Sequence, residues 1–153
     1  MIVCLLHHAD ALSPGIDSQR PLSSIGLEQA ERVARAIQAR GFMPAAIWHS
    51  GKLRARQTAE AALRIVSPFA EFKMVRGLSP EDPPSIIRDA LLRESRDLVL
   101  VGHMPHLPSL LELLTRDMAT TFPLHGAVAM QSNDEGLTWA ELWRETTGQE
   151  PST

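Results

Sequence analysis

Three short segments of this chain place histidine and arginine directly after apolar runs. His7 and His8 follow the run Ile2–Leu6. His49, Ser50 and Gly51, then Lys52, Arg54 and Arg56, follow Ala45-Ala46-Ile47-Trp48. Gly102, His103, Met104, Pro105 and His106 follow Leu98-Val99-Leu100-Val101. A neutral imidazole is a nucleophile and proton carrier near neutral pH. A guanidinium presents a planar fork that matches the oxygens of a phosphate. A helix whose first turn carries Lys52, Arg54 and Arg56 is mildly disfavoured by its own dipole, but its free N–H groups and the cations together make an anion site. Lys52 and Arg56 read as solvated helix residues, and Arg54, beside the strand end, reads as the anion ligand. The chemistry these residues suit is covalent attack by an imidazole on an anionic group held by cations.

The elements that must position them follow from the pattern of apolar residues. Ile2–Leu6 has no alternation and fits a strand buried on both faces. Residues 9–22 form a loop broken by Ser13-Pro14-Gly15 and Arg20-Pro21. A helix starts at Ser23 or Ser24, carries Leu27, Ala30, Val33, Ala34 and Ile37 at helical spacing, and stops at Gly41. Ala45–Trp48 is a second strand and residues 52–65 a second helix, with Ala59, Ala62, Leu63 and Val66 on its buried side. Phe69–Val75 reads as a third strand, Leu78–Pro84 as a loop and Ser85–Arg93 as a helix with Ile86, Ile87, Ala90 and Leu91 apolar. Leu98–Val101 is the clearest buried strand, and Pro108–Thr115 is a leucine-rich helix. Ala127–Met130 and Leu137–Trp143 form a hairpin joined by residues 132–136. Strands that alternate with helices imply an α/β fold: three layers, a mostly parallel sheet with helices on both faces and a C-terminal hairpin. In such sheets ligands bind beyond the carboxyl ends of the strands, where the three polar segments fall.

The whole composition sets bounds. The 153 residues are 44% hydrophobic and 22% charged, which suits one globular domain. We expect that domain to span residues 1–146, with 147–153 a flexible tail. Fifteen basic and eighteen acidic residues give a net charge of -3, which argues against a nucleic-acid partner. The one cysteine, Cys4, lies in an apolar run and offers neither a disulfide nor a cysteine metal motif. No apolar stretch reaches membrane-spanning length and the short N-terminal run lacks a basic leader, so the expectation is a cytoplasmic protein with no membrane association. No His-x-His or His-x-x-x-His pair with a supporting carboxylate stands out, and adjacent His7 and His8 point to opposite faces if both stay in a strand, so no metal is expected.

The motifs resemble those of the histidine phosphatase superfamily, whose founding members include phosphoglycerate mutases. His7-His8-Ala9-Asp10-Ala11 is similar to its Arg-His-Gly or Arg-His-Ala element. Ser50-Gly51-Lys52-Leu53-Arg54-Ala55-Arg56-Gln57-Thr58 is similar to Ser-Pro-x-x-Arg-Ala-x-Gln-Thr. Val101-Gly102-His103-Met104-Pro105 resembles the second-histidine motif, and Arg20-Pro21-Leu22-Ser23 with Gly26 resembles the element entering the first helix. The motifs occur in family order over about the first 105 residues. The short chain, with no inserted cap, looks most like the SixA-type phosphohistidine phosphatase branch. The resemblance implies a phosphoglycerate mutase-like fold and a phosphatase that needs no metal or other cofactor. It implies that His8 attacks the phosphoryl group, that Arg54 and His103 hold its oxygens, and that water releases phosphate. His7, Arg20, Ser50 and Met104 are the implied substrate-binding positions. The implied partner is a phosphorylated small molecule or a phosphohistidine-bearing protein.

Two departures sharpen the expectation. His7 stands where the family carries arginine. A histidine has fewer donors and is charged only part of the time, so phosphate binding should weaken above neutral pH, and His7→Arg should raise activity. The alternative it opens is an impaired, phosphate- or phosphoprotein-binding relative. The general acid that many members carry as a glutamate after the third strand falls here in Arg76-Gly77-Leu78-Ser79-Pro80, leaving Glu81 and Asp82 as the nearby candidates. Without an acid, phosphoramidates such as phosphohistidine suit the site better than alkyl phosphates. Asp10 and Ser50 either orient the site or cap turns. His49 and His106 read as rim or packing residues. His125 lies outside every motif, on the loop Thr120–Gly126 that could return to the pocket.

Overall fold

The computed structural model describes residues 1–149. Its elements run β1 (Ile2–His7), α1 (Ser24–Ala39), β2 (Ala46–His49), α2 (Leu53–Val66), β3 (Glu71–Met74), α3 (Pro84–Leu91), β4 (Leu98–Gly102), α4 (His106–Thr115), β5 (Ala127–Gln131) and β6 (Ala140–Glu145). One six-stranded sheet has the order β3-β2-β4-β1-β5-β6. The first four strands are parallel, β5 runs antiparallel to β1, and β6 runs antiparallel to β5. The expected three-layer α/β architecture is present.

Side-chain alternation along the central strands divides the core between the two helix layers. Val3 and Leu5 of β1 and Leu98 and Leu100 of β4 share one cluster with Ile87, Leu91, Leu107 and Leu110 of α3 and α4. Cys4, Leu6, Val99 and Val101 point the other way, onto Val33, Ala34 and Ile37 of α1 and Ala55, Ala59 and Ala62 of α2. Each large apolar side chain fully removed from water contributes roughly 1.5–3 kcal/mol. The double-sided burial explains why these strands read as unbroken apolar runs. Burial also pushes the Cys4 thiol up to about 12, so it stays protonated and unreactive.

Several boundaries differ from expectation for local reasons. The third strand is confined to Glu71–Met74, and Phe69 is fully exposed. The last strand starts at Ala140 rather than Leu137. Asp134 accepts from the Thr138 amide and hydroxyl, and Ser132 Oγ accepts from the Gly136 amide, so the turn extends until Trp139 is buried. α4 starts two residues before Pro108, which the first turn tolerates because no partner for its missing N–H is needed there. Leu27 is half exposed; the buried face of α1 comprises Gly26, Gln29, Ala30, Val33, Ala34 and Ile37. Residues 150–153 of the expected flexible tail lie outside the described residues. Within the rest of it, the Gln149 amide bonds the Thr146 carbonyl at 2.9 Å and Gly148 is buried. Among the described residues no helix is long and apolar enough to cross a membrane.

This topology sets the carboxyl ends of β1, β2 and β4 side by side. Because β5 is antiparallel to β1, pairing Ala127 with Leu6, its beginning lies at that same edge.

Candidate active site

His8 is the first residue past β1, where the strand ends between β4 and β5. Its amide bonds the Gly102 carbonyl at 3.1 Å and its ring Nδ1 lies 2.7 Å from the Ala9 carbonyl. A carbonyl only accepts, so Nδ1 carries the proton and Nε2 presents a free lone pair. Burial, against the Ala9 bond and with help from Arg54, His125 and Arg20, pushes its pKa down to about 4. The ring is therefore neutral, and nucleophilic at Nε2, at physiological pH.

The loop that follows is tied down at each step. The Ala9 amide donates to Thr58 Oγ1 at 3.0 Å, and Thr58 Oγ1 donates in turn to the Arg54 carbonyl at 2.8 Å. The Asp10 amide donates to Gln29 Oε1, and the Leu22 amide to Gln57 Oε1. Ser23 caps α1 by accepting from the Gly26 amide and also donates to Asp10 Oδ2 at 2.6 Å. A Cβ on Gly26 would sit 1.9 Å from the Asp10 carbonyl oxygen, so only glycine lets α1 approach this loop. Asp10 thus does both things considered for it: it holds the helix entry and fixes the loop bearing His8.

Arg54 lies in the first turn of α2, with no side-chain cap at Lys52 competing for the free amides. Its Nε is buried without a hydrogen-bond partner. A buried, unpartnered guanidinium nitrogen beside a neutral imidazole suits an anionic oxygen. The His103 ring centroid is 5.0 Å from that of His8, and its Nε2 is 2.6 Å from Ser50 Oγ while its buried Nδ1 has no partner. Burial, with His8 and Arg54 nearby, pushes His103 down to about 3. Ser50 therefore orients His103, and it also accepts from the Lys52 amide. Arg20, anchored through Nε to the Leu12 carbonyl, adds a charge felt by both His8 and Arg54.

His7 corrects two expectations. Its ring centroid lies 4.4 Å from that of His8, so the two do not diverge, because His8 is already past the strand. Nor is His7 part-charged near neutrality. Its Nδ1 accepts from the His125 amide at 2.8 Å, which places its proton on Nε2. Burial first, then His8, His125, His103 and Arg54, push it down to about 2. His7 is a fixed neutral N–H donor, and no loss of its binding through titration above neutral pH follows.

The acid candidates also change. Glu81 is exposed, and Asp82 Oδ2 accepts from the Ser79 amide, capping a turn. Asp82 acts on His106 rather than on His8. No hydrogen bond links either carboxylate to the histidine cluster among the described residues. Met104 is half-buried on the turn after β4 and brings no strong hydrogen-bonding group to the cluster. His49 accepts from the Gly51 amide and packs on Phe72, as its packing reading implied. His106 is buried at the start of α4.

The residue with no assigned role in the motifs is His125. It stacks on His7 with centroids 5.0 Å apart and planes 4° apart, and its Nδ1 donates to the His8 carbonyl at 2.8 Å. A ring nitrogen of each of His7, His8 and His125 lies within 4.8 Å of the other two. Three imidazoles can suit zinc, but the hydrogen bonds here place the His7 proton on Nε2. His7 then has no lone pair to give, which leaves at most two ligands, fewer than the three protein ligands a catalytic zinc site uses.

A model of the histidine phosphatase superfamily (branch 1) matches residues 9–78. No curated protein matches the chain in sequence. Among solved structures, the protein histidine phosphatase SixA complexed with tungstate is 20% identical with a TM-score of 0.86, covering 96% of this chain and 97% of that one. A protein assigned as the phosphohistidine phosphatase SixA of Agrobacterium tumefaciens is 24% identical, with a TM-score of 0.77 over 94% of this chain and 96% of that one. A phosphoglycerate mutase from Plasmodium falciparum is 12% identical, with a TM-score of 0.72 over 98% of this chain and 93% of that one. The histidine phosphatase superfamily model thus matches residues 9–78, a little under half of the chain, and the whole described chain has the fold that these structures share, with its motifs converging on one sheet edge.

Proposed function

We propose that the chain is a metal-independent phosphatase that works through a phosphohistidine at His8, acting on protein phosphohistidine or on a small phosphoramidate or phosphoester. Residues 1–146 form the catalytic domain in this reading, and its place is the cytoplasm. One observation carries it: His8 is held neutral, with Nδ1 bonded to the Ala9 carbonyl and Nε2 free among Arg54, His103 and His7. The Nε2 lone pair forms the bond to phosphorus as the bond to the leaving group breaks and its electron pair departs. Arg54, His103 and the His7 Nε2–H offset charge on the equatorial oxygens, a task that needs positioning and electrostatics rather than a metal. Water then attacks phosphorus, the N–P bond breaks, and inorganic phosphate leaves. The tungstate in the similar SixA structure, itself a tetrahedral oxyanion, supports an oxyanion-binding pocket here.

A second reading has one observation behind it: the neutral His7 supplies fewer donors than an arginine, so the protein binds phosphorylated partners and turns over little. Phosphate release by the purified protein from a phosphohistidine peptide separates the two. The proposed function predicts many turnovers per molecule, abolished in His8→Ala. Binding of the peptide without turnover would refute it in favour of the second reading.

A further inference from the structure

The catalytic cluster leaves His125 unexplained. It is a fourth imidazole at the site, on the loop between α4 and β5, in no family motif. Its backbone is in the left-handed region, with φ 52°, an uncommon conformation for a side-chain-bearing residue and one that persists where surrounding contacts hold it. Those contacts are definite. The His125 amide donates to His7 and the His125 Nδ1–H donates to the His8 carbonyl. The second bond dictates the tautomer, so the exchangeable position is Nε2. Unlike His7 and His8, which are buried, His125 is part-exposed at the mouth of the site. Beyond it lies a groove of ≈ 630 Å³ lined also by Asp10, Ile25, Gln29 and Leu124.

The neighbouring groups are engaged otherwise: His103 shares its Nε2 with Ser50 Oγ and, in the proposed reaction, holds the phosphoryl oxygens. His7 Nε2 keeps its proton because Nδ1 already accepts a backbone N–H. His8 Nε2 is the attacking atom. Glu81 and Asp82 have no hydrogen bond to the cluster. His125, with a ring nitrogen within 4.8 Å of one on His8, is as near as the width of one transferred phosphoryl group.

We infer that His125 is the general acid and base of both half-reactions, and that the leaving group occupies the groove beside it. This rests on the proposed phosphohistidine at His8. In the first step His125 Nε2–H gives its proton to the leaving oxygen or nitrogen as the bond to phosphorus breaks. In the second, neutral His125 Nε2 takes a proton from water as its oxygen bonds to phosphorus and the His8 N–P bond breaks. The proton ledger closes after each turnover. The substrate class this adds is oxygen monoesters with poor leaving groups, which a site without an acid would not hydrolyse.

The test is His125→Asn. Asparagine tolerates φ above zero, keeps a side-chain N–H for the His8 carbonyl and leaves the backbone amide to His7, but has no titratable group that could give or take the proton. With p-nitrophenyl phosphate, whose leaving group needs no acid, the burst of product should stay within about threefold of wild type, while steady-state turnover falls roughly 10²-fold and phosphoenzyme accumulates. With an alkyl monoester, both the phosphorylation step and turnover should fall roughly 10²-fold or more. Equal losses of burst and turnover on both substrates, or no loss on either, would overturn the inference. So would wild-type activity abolished by a chelator and restored by zinc, which would make His125 a ligand. A wild type that forms no phosphoenzyme would remove the His8 reading and this one with it. A wild-type phosphoenzyme with equal losses in the variant would remove only the role of His125.

Discussion

Lowering the pH from about 7 to about 5 should strip several kcal/mol from the fold, because His7, His8 and His103 stay neutral in the folded chain. Burial and mutual repulsion hold them at about 2, about 4 and about 3, whereas an unfolded histidine accepts its proton near 6.5. Between those values only the unfolded state binds protons. The stability is therefore fully present above the unfolded value and is lost as the pH falls. At pH 5 each group is about 1.5 pH units below its unfolded pKa, which at 1.36 kcal/mol per unit is about 2 kcal/mol, or ~6 kcal/mol for the three together. His49 and His106, also lowered by burial, act in the same direction. Glu71, Glu94 and Glu141, held below the ordinary carboxylate range chiefly by hydrogen bonds to Arg96 or Arg144, lose their contributions only at lower pH, so this window isolates the histidines. Urea unfolding at the two pH values measures the step. His7→Gln keeps an acceptor for the His125 amide and should shrink it by about 2 kcal/mol. Equal stability at both pH values would refute the neutral-cluster reasoning.

Arg54→Ala should lower kcat/KM by roughly 10²–10³-fold with the fold intact, as expected for removing one charged donor to the phosphoryl oxygens; steady-state kinetics with thermal unfolding as a control checks this. His7→Arg should lower activity, reversing the expectation from the family pattern. An arginine cannot accept from the His125 amide, and its side chain must displace the ring stacked at 5.0 Å. Kinetics of the single variant decides, and a rise in kcat/KM would show that the pocket has room for a cation.

The layout of the fold was readable because β1 and β4 are buried on both faces and therefore appear as unbroken apolar runs. Where side chains rather than apolar pattern set a boundary it was not. The start of β6 depends on Asp134 and Ser132 capping a turn, and nothing in the apolar spacing encodes that. His8, Arg54 and His103 were visible because each follows a parallel strand at its carboxyl end. His125 was legible only as a residue of a loop that could return to the pocket, since that rule inspects only carboxyl ends and β5 runs the other way. The expected hairpin left open which way β5 runs beside β1, and only that antiparallel pairing places the residues just before β5 at the same edge. Thr58, Gln57 and Gln29 hold backbone amides of the loop by side-chain oxygens across long sequence separations, which no local pattern reports. The tautomer of His7 likewise depends on an amide 118 residues away.

The central claim is that the Nε2 of His8 becomes phosphorylated. Rapid acid-free quenching after mixing with labelled substrate, followed by peptide mapping, tests it directly. Phosphorylation at His8 Nε2 predicts an acid-labile, base-stable label on His8 that is absent from His8→Ala and present, though reduced, in Arg54→Ala. A label that survives His8→Ala, or turnover by that variant at the wild-type rate, would contradict it.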